Sequence, residues 1–113
     1  MYPPSPNRLL IVIVSGSQVD ILMTKLSQEN FRFTVIDSSG NPIQEPRICL
    51  LIGFHTKQQE SLFELIRNNC QPYRRNIPAQ GLLVGESANL PMLEAQLGGA
   101  LIYLMNVERF EQL

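Results

Sequence analysis

Histidine, cysteine and net charge are all scarce in this chain, and each scarcity removes a class of function. His55 is the only histidine, and Cys49 and Cys70 are the only cysteines. One histidine, with no acidic pair at a recognisable spacing, supports no metal site. Two thiols without C-x-x-C spacing make neither a disulfide framework nor a zinc site, so both are expected to be free in a reducing compartment. The net charge of −1 leaves no electrostatic footprint for nucleic acid or an anionic membrane, and neither is expected as a partner. Long apolar runs are missing too. Leu9–Val14 is too short for a signal or membrane segment, and the proline-rich stretch before it carries no basic region. A cytoplasmic protein is expected. No nucleophile–base motif and no G-x-x-x-x-G-K-[ST] loop occurs. Catalytic residues, a cofactor and an enzymatic role are therefore not expected.

What is present reads as one folded domain. A chain of 113 residues with 44% hydrophobic and 17% charged residues has material for one hydrophobic core and not for two. Residues 1–7 are expected as a flexible tail and 8–113 as a single domain. Leu9–Val14 is continuously apolar and β-branched, which suits a central strand. Ser17 is placed as a helix N-cap with Asp20 three residues on. Val19, Leu22, Met23 and Leu26 then mark one buried helical face, and Asn30 is a plausible stop. Phe31, Phe33 and Val35 alternate with Arg32, Thr34 and Ile36 at the period of a strand. Ile48–Ile52 is a second continuously apolar strand. Between these two strands, Asp37–Arg47 holds Gly40, Asn41, Pro42 and Pro46, more residues than a tight hairpin needs. The segment reads as a functional loop.

The pattern then recurs. Thr56 with Gln59 repeats the cap, Leu62, Phe63 and Ile66 form a second buried stripe, and Asn68-Asn69 end that helix. A shift of 39 residues maps Arg8 onto Arg47, Ser17 onto Thr56 and Asn30 onto Asn69. Two such halves in the order β-α-β-β-α-β predict an α+β, ferredoxin-like fold, an antiparallel sheet with both helices on one face. Residues 70–96 read as a long irregular segment, punctuated by Pro72, Pro78, Gly81, Gly85 and Pro91. Leu97–Met105 reads as the last strand, with Gly98-Gly99 marking a bulge or a close backbone approach. Asn106–Leu113 is expected as a helical turn or short extension. His55 is expected at the start of the second helix and Arg74-Arg75 in solvent.

Several of these pieces together resemble the PII-like family of cyclic-di-AMP receptors. Gly98-Gly99-Ala100, Leu101–Leu104 and Val107–Glu111 are similar to that family's V-G-G-A-T-V-F-V-L-D-V-E-R-F-E. Asn30–Thr34 resembles its N-F-R-V-T, and Leu51–Phe54 its L-I-G-V, with gap-free spacing between them. The resemblance implies a homotrimer of PII-like subunits that binds a cyclic dinucleotide, or another adenine nucleotide, at subunit interfaces. Carried over by position, it places Arg32, Thr34, Gly40, Asn41, Ile43, Arg47, Gly53, Gly98, Gly99 and Tyr103 around that ligand. It also implies signalling through the loops to a downstream protein.

The departures from the family fall on the same loop. Its second loop glycine is Asn41 here, the aromatic that follows is Pro42, and its G-N-T-T is Pro46–Cys49. An aromatic ring can stack on a base, so its replacement by proline weighs against tight binding. A second reading follows, a diverged interaction protein that kept the trimer and lost the site. A single-stranded RNA binder of the same fold is excluded, because Leu9–Val14 and Ile48–Ile52 carry no aromatic to stack bases.

Overall fold

The computed structural model describes residues 5–38, 46–78 and 92–113. In chain order these form β1 (Arg8–Ser15), α1 (Gly16–Gln28), β2 (Phe33–Ser38), β3 (Arg47–Phe54), a 3-10 turn (Thr56–Gln58) leading into α2 (Gln59–Asn69), β4 (Pro72–Pro78), β5 (Met92–Gly98) and β6 (Ala100–Asn106). The main sheet runs β2-β3-β1-β6, every neighbour antiparallel. This is the α+β, ferredoxin-like arrangement, with β6 in the place of the fourth strand. The internal repeat is visible in it: β1 and β3 each begin at an arginine and run eight residues.

Alternation in the strands decides which face the helices cover. Leu10, Val12, Leu50 and Ile52 point to one side and are fully buried. Val19, Leu22 and Leu26 of α1 and Leu62 and Ile66 of α2 close over them, with Phe31, Phe54 and Cys70 at the margins. Burying side chains of this size contributes roughly 1.5–3 kcal/mol each, so this single layer carries most of the apolar stabilisation. Asn30, in a left-handed conformation (φ 62°), ends α1. Its N–H donates to Ser27 O at 3.1 Å and that of Phe31 to Leu26 O at 2.9 Å, which satisfies carbonyls the helix leaves open.

Three local features differ from the sequence reading. Helix α1 starts at Gly16, and Ser15 rather than Ser17 is its N-cap residue. The Gly16 N–H donates to Pro46 O at 2.7 Å, a contact from 30 residues away that starts the helix early. Before α2 the cap is formed by His55 and Gln58, not Thr56 and Gln59. The His55 imidazole Nδ1 accepts from the Lys57 N–H at 3.1 Å, and Gln58 Oε1 accepts from the His55 N–H at 3.0 Å. Thr56 is engaged elsewhere: its N–H donates to the Asn7 side chain at 3.0 Å.

The third difference is the largest. Within 70–96 the described residues are not irregular, because β4 and β5 pair as a two-stranded antiparallel ribbon from Pro72↔Gly98 to Pro78↔Met92. The last strand is correspondingly split at Gly99, with β5 ending at Gly98 and β6 starting at Ala100. Gly98 and Gly99 have φ of +72° and +76°, so the pair is a sharp corner between ribbon and sheet rather than a bulge. The ribbon is a sheet separate from the four-stranded one, an arm that joins it at the Gly98-Gly99 corner. At its base Tyr73 Oη lies 3.0 Å from Ser17 Oγ, and Gln18 Nε2 donates to Gln71 O at 2.8 Å. Both contacts fasten the arm to the first turn of α1.

Candidate functional site

The sheet face turned away from the helices is where the candidate residues gather. Strand register sets it out in rows. One row crosses Thr34, Leu51, Ile11 and Tyr103; the next crosses Ile36, Cys49, Ile13 and Leu101; a third joins Gly53, Leu9 and Met105. These rows are almost wholly apolar, and Ile36, Leu101, Tyr103 and Met105 are 43–55% exposed. A continuous apolar strip of this kind, with four of its side chains exposed, is the mark of an interaction surface.

Arg32, Thr34 and Gly53 come together at one end of this face. They line a groove of about 550 Å³ whose apolar walls include Leu9, Phe31, Phe33 and Phe54. Gly53 carries no side chain there, and a Cβ would lie 3.5 Å from Pro6, so the floor of the groove is backbone. Arg32 is exposed. Its guanidinium can meet a phosphate, and the Thr34 hydroxyl can donate or accept beside it.

Arg47, Gly98 and Gly99 form a second group at the opposite end. They border a cavity of about 540 Å³ with Ser15, Cys70, Gln71 and Leu101. Arg47 opens β3 and Gly53 stands near its close, six residues on, which is roughly 20 Å at strand rise. Gly98 is locked in place: a Cβ there would lie 2.8 Å from Gln71 O and 2.8 Å from the Tyr73 ring. Gly99 has room, its virtual Cβ 3.7 Å from Pro72, but its positive φ disfavours any side chain.

One chain therefore does not bring the candidate residues into a single pocket. Tyr103 is 55% exposed on β6 and borders neither cavity. It lies at the opposite edge of the face from Thr34, three strand spacings or roughly 14 Å away. Gly40, Asn41 and Ile43 lie outside the described residues.

The structure adds residues that sequence reasoning did not place. The chain after β6 forms no helical turn. It is fixed where the Val107 N–H donates to Asn7 O at 3.0 Å, and it continues so that Phe110, Glu111 and Gln112 line the groove with Arg32 and Thr34. Arg109 pairs with Glu111 on that segment. The V-E-R-F-E resemblance marked these residues as familial, but their place beside Arg32 depends on tertiary packing.

Among the described residues no three potential metal ligands cluster, and no helix is long and apolar enough to cross a membrane. Compared with known proteins, residues 7–113 match the family model described as "Cyclic-di-AMP receptor". A crystal structure of a functionally unknown protein from Pediococcus pentosaceus ATCC 25745 is similar at a TM-score of 0.72 and 19% identity. The alignment covers 97% of this chain and 100% of that one, and at this identity it shows the fold alone.

Proposed function

Because this chain belongs to the cyclic-di-AMP receptor family, we propose that it is a PII-like homotrimer that binds cyclic-di-AMP at its subunit interfaces. The observation that carries this reading is the division of the candidate residues across an unpartnered apolar face. Arg32, Thr34 and Gly53 occupy one edge, while Tyr103 occupies the other. Packing such faces around a threefold axis buries the apolar rows and sets one subunit's Tyr103 edge against its neighbour's Arg32 edge. A ligand with two bases and two phosphates suits a site assembled from two such edges.

Within this scheme Arg32 is the phosphate contact. Arg47 lies roughly 20 Å along β3, too far to reach the same phosphate within one chain. By the resemblance, Gly40, Asn41 and Ile43 add further contacts to the ligand, and Gly98 and Gly99 let it approach the backbone at the start of β6. The receptor would signal by reshaping its loops for a downstream protein.

A second reading is kept by the loop itself. Asn41 and Pro42 replace the glycine and aromatic of the family, and Pro46–Cys49 replace its G-N-T-T, as in a protein that kept the trimer and lost the ligand. Calorimetry against cyclic dinucleotides and adenine nucleotides, with an Arg32→Ala variant alongside, separates the two. Charge-assisted hydrogen bonds contribute about 1.5–3 kcal/mol, so Arg32→Ala is expected to weaken cyclic-di-AMP binding by tenfold or more. A parent protein that gives no saturable heat at millimolar nucleotide supports the second reading.

A further inference from the structure

The loop holds no ring that could stack on a base, although the resemblance places one there. The loop aromatic is Pro42 here, and proline offers no π-face. Four phenylalanines line the Arg32 groove, but they are not equally available. Phe31 and Phe54 are 7% and 1% exposed and belong to the core, and Phe33 packs against the core from its edge. Phe110 differs: it is 48% exposed, sits on the segment after β6, and shares the groove with Arg32 and Thr34. Its segment is tied to the body just before it. The Val107 N–H donates to Asn7 O, and within the segment Arg109 pairs with Glu111. That pairing also compensates the one carboxylate lining the groove, which would otherwise repel a phosphate.

We propose that Phe110 is the base-stacking residue of this groove, with an adenine ring lying against its exposed face while Arg32 takes a phosphate. The assignment rests on the receptor reading above and adds to it which side chain recognises the base within the same subunit.

Stacking on an aromatic ring is worth ~1–3 kcal/mol per base, which converts to about 5- to 150-fold in affinity. Titration of cyclic-di-AMP by calorimetry into the parent, Phe110→Leu, Phe110→Tyr and Tyr103→Leu tests the assignment. Phe110→Leu, which keeps bulk but removes the π-face, is expected to lose affinity within that range, and Phe110→Tyr to bind within a few-fold of the parent. A Phe110→Trp variant adds a fluorescent reporter, since neither Phe110 nor any other residue of the parent is tryptophan. Its emission should change saturably with cyclic-di-AMP at the calorimetric affinity, even if the leucine variant folds poorly. Parent-like binding by Phe110→Leu overturns the proposal and leaves the receptor reading intact. So does a loss confined to Tyr103→Leu, which would assign stacking to the partner's last strand. A parent that binds no cyclic-di-AMP overturns both.

Discussion

Cys70 closes α2 and is 4% exposed. Burial removes water from its thiolate and pushes the thiol up from 9.0 to about 11. In the unfolded chain this group ionises from about pH 9, whereas the folded chain holds the proton to about pH 11. The unfolded state therefore binds fewer protons between those values, and stability is full below pH 9 and falls as pH rises toward 11. Melting temperature measured against pH should decline over that window in the parent and decline less in Cys70→Ala. Equal slopes would show that another group governs the alkaline limb. Sequence placed this cysteine at a helix end and as a free thiol, but its burial follows from its place in the core beneath α1 and α2. Arg32 illustrates the same boundary. The resemblance identified it, while only the fold shows that Phe110 stands in its groove and that Arg47 does not.

Among the elements, the strands and helices of the repeat were legible because their side chains keep a strict period. Leu10, Val12, Leu50 and Ile52 alternate, and Val19, Leu22 and Leu26 recur at helical spacing. The helix starts were read one or two residues late. What moves them is tertiary: Pro46 O on the Gly16 N–H, and Asn7 on Thr56. The arm was missed for a different reason. Proline at both ends of β4 argues against a central strand, but a ribbon of two strands has free edges on which a missing donor costs nothing. A two-stranded ribbon is marginal by itself, so its anchor at the base should control its order. Tyr73→Phe and Ser17→Ala each remove the hydroxyl contact at 3.0 Å. Both are expected to speed amide exchange in 72–78 and 92–98 several-fold while β1 stays protected. Unchanged exchange would show that the latch does not hold the arm. At the corner, Gly98→Ala has no space for its methyl and a positive φ, whereas Gly99→Ala has only the positive φ. The strain of a left-handed alanine is of order 1–2 kcal/mol, so denaturant unfolding should find Gly99→Ala destabilised by about that amount and Gly98→Ala by more.

For the whole molecule, the open face made of Leu9, Ile11, Ile13, Leu51, Leu101 and Tyr103 is the feature that calls for partners. Light scattering is expected to return three times the chain mass at micromolar concentration. Tyr103→Lys, which places a charge at the centre of β6 on that face, is expected to shift the mass toward the monomer. A parent that scatters as a monomer would remove the basis for an interface site. The receptor reading joins this assembly to its ligand, and stoichiometry tests both together. The decisive measurement is a calorimetric titration of cyclic-di-AMP into the purified protein. The account predicts saturable binding of one cyclic-di-AMP per subunit, three for an assembly of three chains, and at least tenfold loss in Arg32→Ala. A flat titration at millimolar cyclic-di-AMP would contradict it.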